Sequence, residues 1–234
     1  MQWDGPRQPE PPPEPEPLER VILSLAIQAH PARSELVTLL MRKLPGVDVV
    51  FDPEPDGFPS PWRTYRLALE RTPPEATHRL VVQDDVVLCE GFVPAARHAA
   101  RLRPDDVLVL WHGGQPRENL PALRAAGQTG SPFAPLSRAR WVPAIANIWP
   151  VPVLRAFLAW AEEQGFPERL RADDEIIGRG LRGLGLQAYA VVPSLVEHPD
   201  VVPSLLGRRA RAGHDKGRVA AVYTGCPPDG WPLS

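Results

Sequence analysis

His78-Arg79-Leu80-Val81-Val82-Gln83-Asp84-Asp85-Val86-Val87-Leu88 is an apolar strand that runs into two adjacent carboxylates and then resumes as an apolar strand. Apolar residues on both sides of the acids read as a fully buried strand. An ionised Asp in such a place costs on the order of several kcal/mol unless a cation or hydrogen-bond donors compensate it. A divalent metal is a natural compensation, because magnesium and manganese take carboxylate oxygens and leave positions free for a diphosphate. The plainer alternative is that Asp84 and Asp85 form a polar strand end or a helix cap.

Upstream, Val21 to Ile27 reads as a first buried strand that ends at Gln28-Ala29-His30-Pro31. Ala32 to Leu44 then has the apolar spacing of a helix, with Pro31 at its start. Val47 to Phe51 is a short second strand closing on Asp52. Strand, helix and strand in that rhythm begin an open α/β sheet, whose ligands bind beyond the carboxyl ends of the strands. That rule makes Gln28, Ala29, His30, Asp52, Gln83, Asp84 and Asp85 neighbours around one crevice.

Asp52 to Pro61 is a proline-rich loop, and Trp62 to Arg71 reads as a helix exposing Arg63 and Arg66. Arg63, at the helix start, suits a diphosphate as well as it suits a solvated face, whereas Arg66 suits a solvated face better. Beyond the acid pair, Gly91 to Arg101 reads as a helix, Val107 to Trp111 as a strand and His112-Gly113-Gly114 as a turn. No P-loop or dinucleotide fingerprint is present, so ATPase and dehydrogenase readings lose their usual support. The segment from Gly127 to Pro152, rich in Pro, Ser, Arg and Trp, is expected to line an acceptor pocket. One tryptophan of Trp141 and Trp149 would lie in the core and the other would serve as a platform. Val153 to Gln164 reads as a helix, and Asp173-Asp174-Glu175 stand just ahead of a helical run from Ile176 to Leu184. Capping needs one or two acids, not three. Leu186 to Val192 is a further strand, followed by His198, a candidate metal ligand or a loop histidine. Arg208 to Arg218, with Lys216 and His214, reads as a mobile basic loop.

The chain has 234 residues and is 43% hydrophobic, which suits one compact domain. Its 26 basic residues are scattered and the formal net charge is -2, giving little encouragement to a nucleic-acid reading. Cys89 and Cys226 form no CxxC, so no zinc site or disulfide framework is expected, and a reducing cytoplasm fits best. The early apolar run is far too short to span a membrane, and the residues ahead of it are unlike a signal peptide. Residues 1 to 19, with prolines and glutamates interleaved, are expected to form an extended tail, followed by a domain over residues 20–220 and a C-terminal tail over 221–234.

In this order, the pieces resemble the nucleotide-sugar-dependent glycosyltransferases of the GT-A fold, in particular small bacterial and phage enzymes with an Asp-Asp variant of the DxD motif. The carriers are Val21-Ile22-Leu23-Ser24-Leu25-Ala26, Gln83-Asp84-Asp85, Asp173-Asp174-Glu175 and Pro193-Ser194-Leu195-Val196-Glu197-His198. The resemblance implies a single α/β domain with an open mixed sheet and a Rossmann-like nucleotide-binding half. It implies Mn2+ or Mg2+ on Asp85 and His198, and an acceptor-side acid or base at Asp174 or Asp173. A UDP-sugar or other nucleotide-sugar donor would lie near Ala26, Gln28, His30, Asp52, Arg63, Gln83, Asp84 and Lys216. The acceptor would be a glycan, a protein or a modified nucleic-acid base. The chain departs from the pattern at Gln83, where the family often has an acid, and at Ala144-Ile145-Ala146-Asn147, which stand in place of a glycine-rich loop. The rival readings are a metal-dependent phosphoesterase or nuclease and a non-catalytic sugar- or protein-binding module.

Overall fold

The computed structural model describes residues 21–114, 116–137, 141–166, 172–199 and 219–232. Residues 1–19 and the basic loop at 208–218, including Lys216, therefore lie outside the described residues. The strands are β1 (Leu23–Ala29), β2 (Asp48–Phe51), β3 (His78–Gln83), β4 (Val87–Leu88), β5 (Val107–Val109), β6 (Phe133–Pro135), β7 (Ala146–Pro150), β8 (Ala188–Val191) and β9 (Val196–Glu197). The α-helices are α1 (Ser34–Lys43), α2 (Pro61–Glu70), α3 (Phe92–Leu102), α4 (Leu120–Thr129), α5 (Val151–Glu163) and α6 (Asp173–Gly183).

Seven strands form one mixed sheet in the order β2-β1-β3-β7-β5-β8-β6, and β4 pairs with β9 in a separate two-stranded ribbon. β1 is parallel to β2 and β3, and β5 to β8. β7 runs antiparallel between β3 and β5, and β6 lies antiparallel on the edge beside β8. This is the mixed α/β architecture, an open sheet flanked by helices, that the sequence implies.

Alternation along the strands builds two apolar layers. Ile27, Leu80, Val82, Leu108 and Ile148 face α1 and α3, where Val37, Leu40, Phe92 and Ala96 cover them. Ala26, Val50, Val81, Val109 and Trp149 face the opposite layer, made by α2, α4, α5 and α6 through Trp62, Tyr65, Leu123, Phe157 and Ile177. Phe157 is fully buried between Trp149 at 4.7 Å and Trp160 at 6.2 Å between ring centroids, and burying a side chain of that size contributes about 3 kcal/mol. The indole N–H of Trp149 donates to the Tyr65 hydroxyl at 2.8 Å, so this core tryptophan keeps its polar atom satisfied. Arg79, at the start of β3, is only 1% exposed. Its guanidinium donates to Ala68 O at 2.9 Å and to Asp48 Oδ2 at 3.0 Å, tying β3 to α2 and β2.

The order of elements up to β3 follows the sequence, with β1 beginning and ending two residues later than expected and a 3-10 turn over Pro31–Arg33 preceding α1. The segment over residues 127–152 contains the end of α4, then β6 and the central strand β7. Proline stands at 143, ahead of β7, and at 150, its last residue. Between them the chain is apolar on both faces except for Asn147, so it forms a buried strand whose prolines fall at or beyond its ends. Ala146 and Asn147 are therefore not a loop; they pair with Val82 and Val81 of β3. Asp173, Asp174 and Glu175 belong to the first turn of α6 itself, where their charge faces the positive end of the helix dipole. Among the described residues no helix is long and apolar enough to cross a membrane.

Candidate functional site

From β1 the chain passes to β2 on one side and then to β3 on the other, so the order of the sheet reverses at β1. A crevice opens beyond the carboxyl ends of strands at such a reversal. Gln28, His30, Asp52, Gln83, Asp84 and Asp85 all lie at these ends, as the sequence predicts. The polar residues there fall into three groups.

In the centre, the first turn of α6 brings Asp173 over the ends of β1 and β3. Asp173 Oδ2 accepts from Gln28 Nε2 at 3.2 Å and from Gln83 Nε2 at 3.4 Å, and Gln28 Nε2 also donates to Pro61 O at 2.9 Å. Burial, and then the neighbouring Asp174, push the Asp173 carboxyl up to about 7. Asp174 is half-buried beside it, and its backbone oxygen accepts from Val142 N at 3.0 Å. That bond lays the segment carrying half-buried Trp141 against the two acids, whereas Trp149 is in the core. Beneath them, the buried Tyr65 hydroxyl accepts from Asn147 Nδ2 at 3.3 Å as well as from Trp149.

The second group lies toward β3 and the β4–β9 ribbon. His30 N donates to Asp84 Oδ2 at 2.8 Å. Arg33 Nη1 stands 2.7 Å from Asp84 Oδ1 and 2.8 Å from Asp85 Oδ2, bridging the two carboxylates. Pairing of Glu197 with Val87 carries His198 back to the acids, with its Nε2 3.2 Å from that same Asp85 oxygen. Glu197 Oε1 accepts from His198 N at 2.8 Å, from Ala220 N at 2.8 Å and from Trp111 Nε1 at 3.3 Å, which holds this turn in place. Burial pushes the Asp84 carboxyl up, and the Arg33 charge pulls against that shift.

The third group closes the β2 side. Asp52 Oδ1 accepts from Arg63 Nη2 at 2.7 Å and from Arg63 Nε at 3.1 Å, and Arg63 Nη1 also meets Glu54 Oε2 at 3.1 Å. The Arg63 guanidinium thus ties the loop after β2 to α2. Arg66 pairs with Glu70 on the exposed face of that helix, in keeping with a solvated role. Ala26 is 1% exposed and packs with Val50 and Tyr65 inside the sheet, three residues short of the strand end, so its side chain lies in the core and not in the crevice.

Arg33 is the residue of this crevice that the sequence pattern does not single out. It falls within the helical run expected over Ala32 to Leu44, yet it supplies the cation that a buried acid pair demands. Its one signal is position: it is the first arginine after β1, at the end of the sheet where those acids emerge. Charge compensation therefore no longer requires a metal. In kind, the donors fit one nonetheless, since Asp85 brings a carboxylate and His198 an imidazole nitrogen to the same point. They do not form a cage: among the described residues no group of three or more His, Cys, Asp or Glu side chains is arranged to hold a metal ion. Further coordination positions would fall to oxygens of a ligand.

No protein-family model and no curated protein matches the sequence. Among solved structures the chain is similar to S. aureus TarS 1-349, at a TM-score of 0.46 and 13% identity, over 74% of this chain and 49% of that one. The chain thus spans about half the length of that structure, and a likeness this loose carries no argument about function.

Proposed function

We propose that the protein transfers a sugar from a nucleotide-diphosphate donor to an acceptor hydroxyl, with inversion at the anomeric carbon. The observation that carries the reading is the Asp173–Asp174 pair at the reversal point of the sheet, whose buried member has its carboxyl pushed up to about 7. General-base help from a carboxylate at this point is worth about a hundredfold or more in rate. Asp174, the more exposed of the two, takes the proton of the acceptor hydroxyl, and Asp173, fixed by Gln28 and Gln83, positions it. The acceptor oxygen then bonds to the anomeric carbon as the bond from that carbon to the diphosphate breaks, and the nucleoside diphosphate leaves with the electron pair. A divalent cation, Mn2+ or Mg2+, held by Asp85 and His198 would neutralise charge growing on the leaving diphosphate. Gln28, His30, Asp52, Gln83 and Asp84 line the donor side, and the segment at Trp141 faces the acceptor.

The test is a screen of nucleotide-sugars by mass spectrometry for nucleoside diphosphate release with Mn2+ present. The wild type is expected to turn over at least one donor, and Asp174→Asn to lose at least about a hundredfold in kcat while its melting temperature stays close to that of the wild type. Equal turnover by Asp174→Asn would remove the proposed base. Metal-dependent thermal stabilisation by UDP or GDP should persist in that variant and disappear in Asp85→Ala.

A further inference from the structure

We infer that Arg33 is a tethered counter-ion that competes with a divalent cation for the Asp84–Asp85 carboxylates. This deepens the glycosyl-transfer reading and rests on it. The geometry makes the two cations rivals. Arg33 Nη1 lies 2.8 Å from Asp85 Oδ2, and His198 Nε2 lies 3.2 Å from the same oxygen. A divalent ion on that oxygen and on His198 would stand next to the guanidinium, and two positive charges in so buried a place repel strongly. One of them must leave. Arg33 is the one placed to do so, because it sits on a 3-10 turn outside the core and its side chain is 13% exposed, whereas Asp84 and Asp85 are 4% and 5% exposed just beyond the end of β3. No core residue lies on that turn, so the guanidinium can be displaced without unpacking the apolar layers, while the carboxylates cannot follow it.

The exchange changes both binding events. Without donor, the site holds its own cation and takes up metal weakly. Once the metal is seated, the displaced guanidinium can turn to the other anion in the crevice, the donor diphosphate, whose oxygens match its planar fork of N–H groups. Metal and donor then enter as a matched set, and the acid pair is never left without a counter-charge.

The experiment titrates Mn2+ by electron paramagnetic resonance into the full chain without nucleotide, for wild type, Arg33→Ala, Arg33→Gln and Arg33→Lys. Removing two charge-assisted hydrogen bonds should tighten Mn2+ binding at least about tenfold in the Ala and Gln variants, with Lys remaining close to wild type. In a second titration at saturating Mn2+, UDP should bind at least about tenfold more weakly to Arg33→Ala than to wild type. The Gln variant carries the test if the Ala variant does not fold. Equal Mn2+ affinity in all four proteins overturns the inference and leaves glycosyl transfer standing. Absence of Mn2+ binding in every protein, with or without UDP, overturns both the inference and the metal-assisted form of the proposed reaction.

Discussion

Asp173 shows how a residue that is costly to the fold can, in the proposed reaction, serve the chemistry. Its carboxyl titrates near 7 because burial, with Asp174 beside it, disfavours the charged form, and the buried Tyr65 hydroxyl is a further neighbour. Since its folded value lies above the unfolded one, the folded state holds the proton longer. The associated stability is full below about 4 and is lost as pH rises to about 7, an effect on the order of a few kcal/mol. Asp173→Asn removes that loss. Its melting temperature is expected to exceed the wild type by roughly 5 °C at pH 8 and to converge with it near pH 4. At the same time any inflection near pH 7 that the Asp173 proton imposes on the pH–rate profile should vanish, while the base at Asp174 is retained. A variant less stable than wild type at pH 8 would show that the carboxylate is held by its partners more strongly than burial opposes it. The same scale explains what could be read from sequence at the site. Asp84 and Asp85 are legible because charge inside an apolar run is anomalous on its face. Arg33 is not, because an arginine at the start of a helical run is ordinary until the fold brings β1 beside β3.

Elements are legible where periodicity is undiluted. The three strands and two helices from β1 to β3 carry clean patterns, and so does α5. β7 is legible only as part of the sheet, since its flanking prolines read as loop chemistry, and the preference that decides it is burial between β3 and β5. What no local pattern reveals is how closely α5 and α6 approach. At Gly180 an added methyl would overlap the ring of Phe157, and at Gly183 it would stand 2.8 Å from Trp160 Nε1. These glycines let α6 seat its far end against two aromatic rings, and its first turn carries Asp173. Gly180→Ala should therefore act at a distance. It is expected to destabilise by about 1–3 kcal/mol through overpacking, despite the better helix propensity of alanine. It should also lower kcat through a shift of the first turn of α6, and denaturant melts alongside turnover measurements would test both effects. Full activity with unchanged stability would mean that the rings yield without moving the helix.

At the scale of the molecule, the crevice belongs to a sheet built in two parallel blocks, β2-β1-β3 and β5-β8, sewn together by the antiparallel strand β7 that lies between them. The stretch that gives the acid pair therefore also specifies the seam, since β3 pairs with β1 on one side and with β7 on the other. That seam has a consequence for how the protein is made. β3 and β5 leave the ribosome well before β7, so each waits with an open edge of unpaired backbone groups until residues 146–150 arrive. Refolding should accordingly run in milliseconds to seconds, the regime of long-range pairings, and not in microseconds. A fragment of residues 21–137 holds β1, β2, β3 and β5 without their seam. It is expected to self-associate in size-exclusion chromatography and to melt without cooperativity, while a monomer with a sharp transition would show that β3 finds another partner. During synthesis the nascent chain thus has a vulnerable interval, opened by the emergence of β3 and closed for that strand by β7 and for the far edge of β5 only by β8, in which chaperone occupancy should be highest.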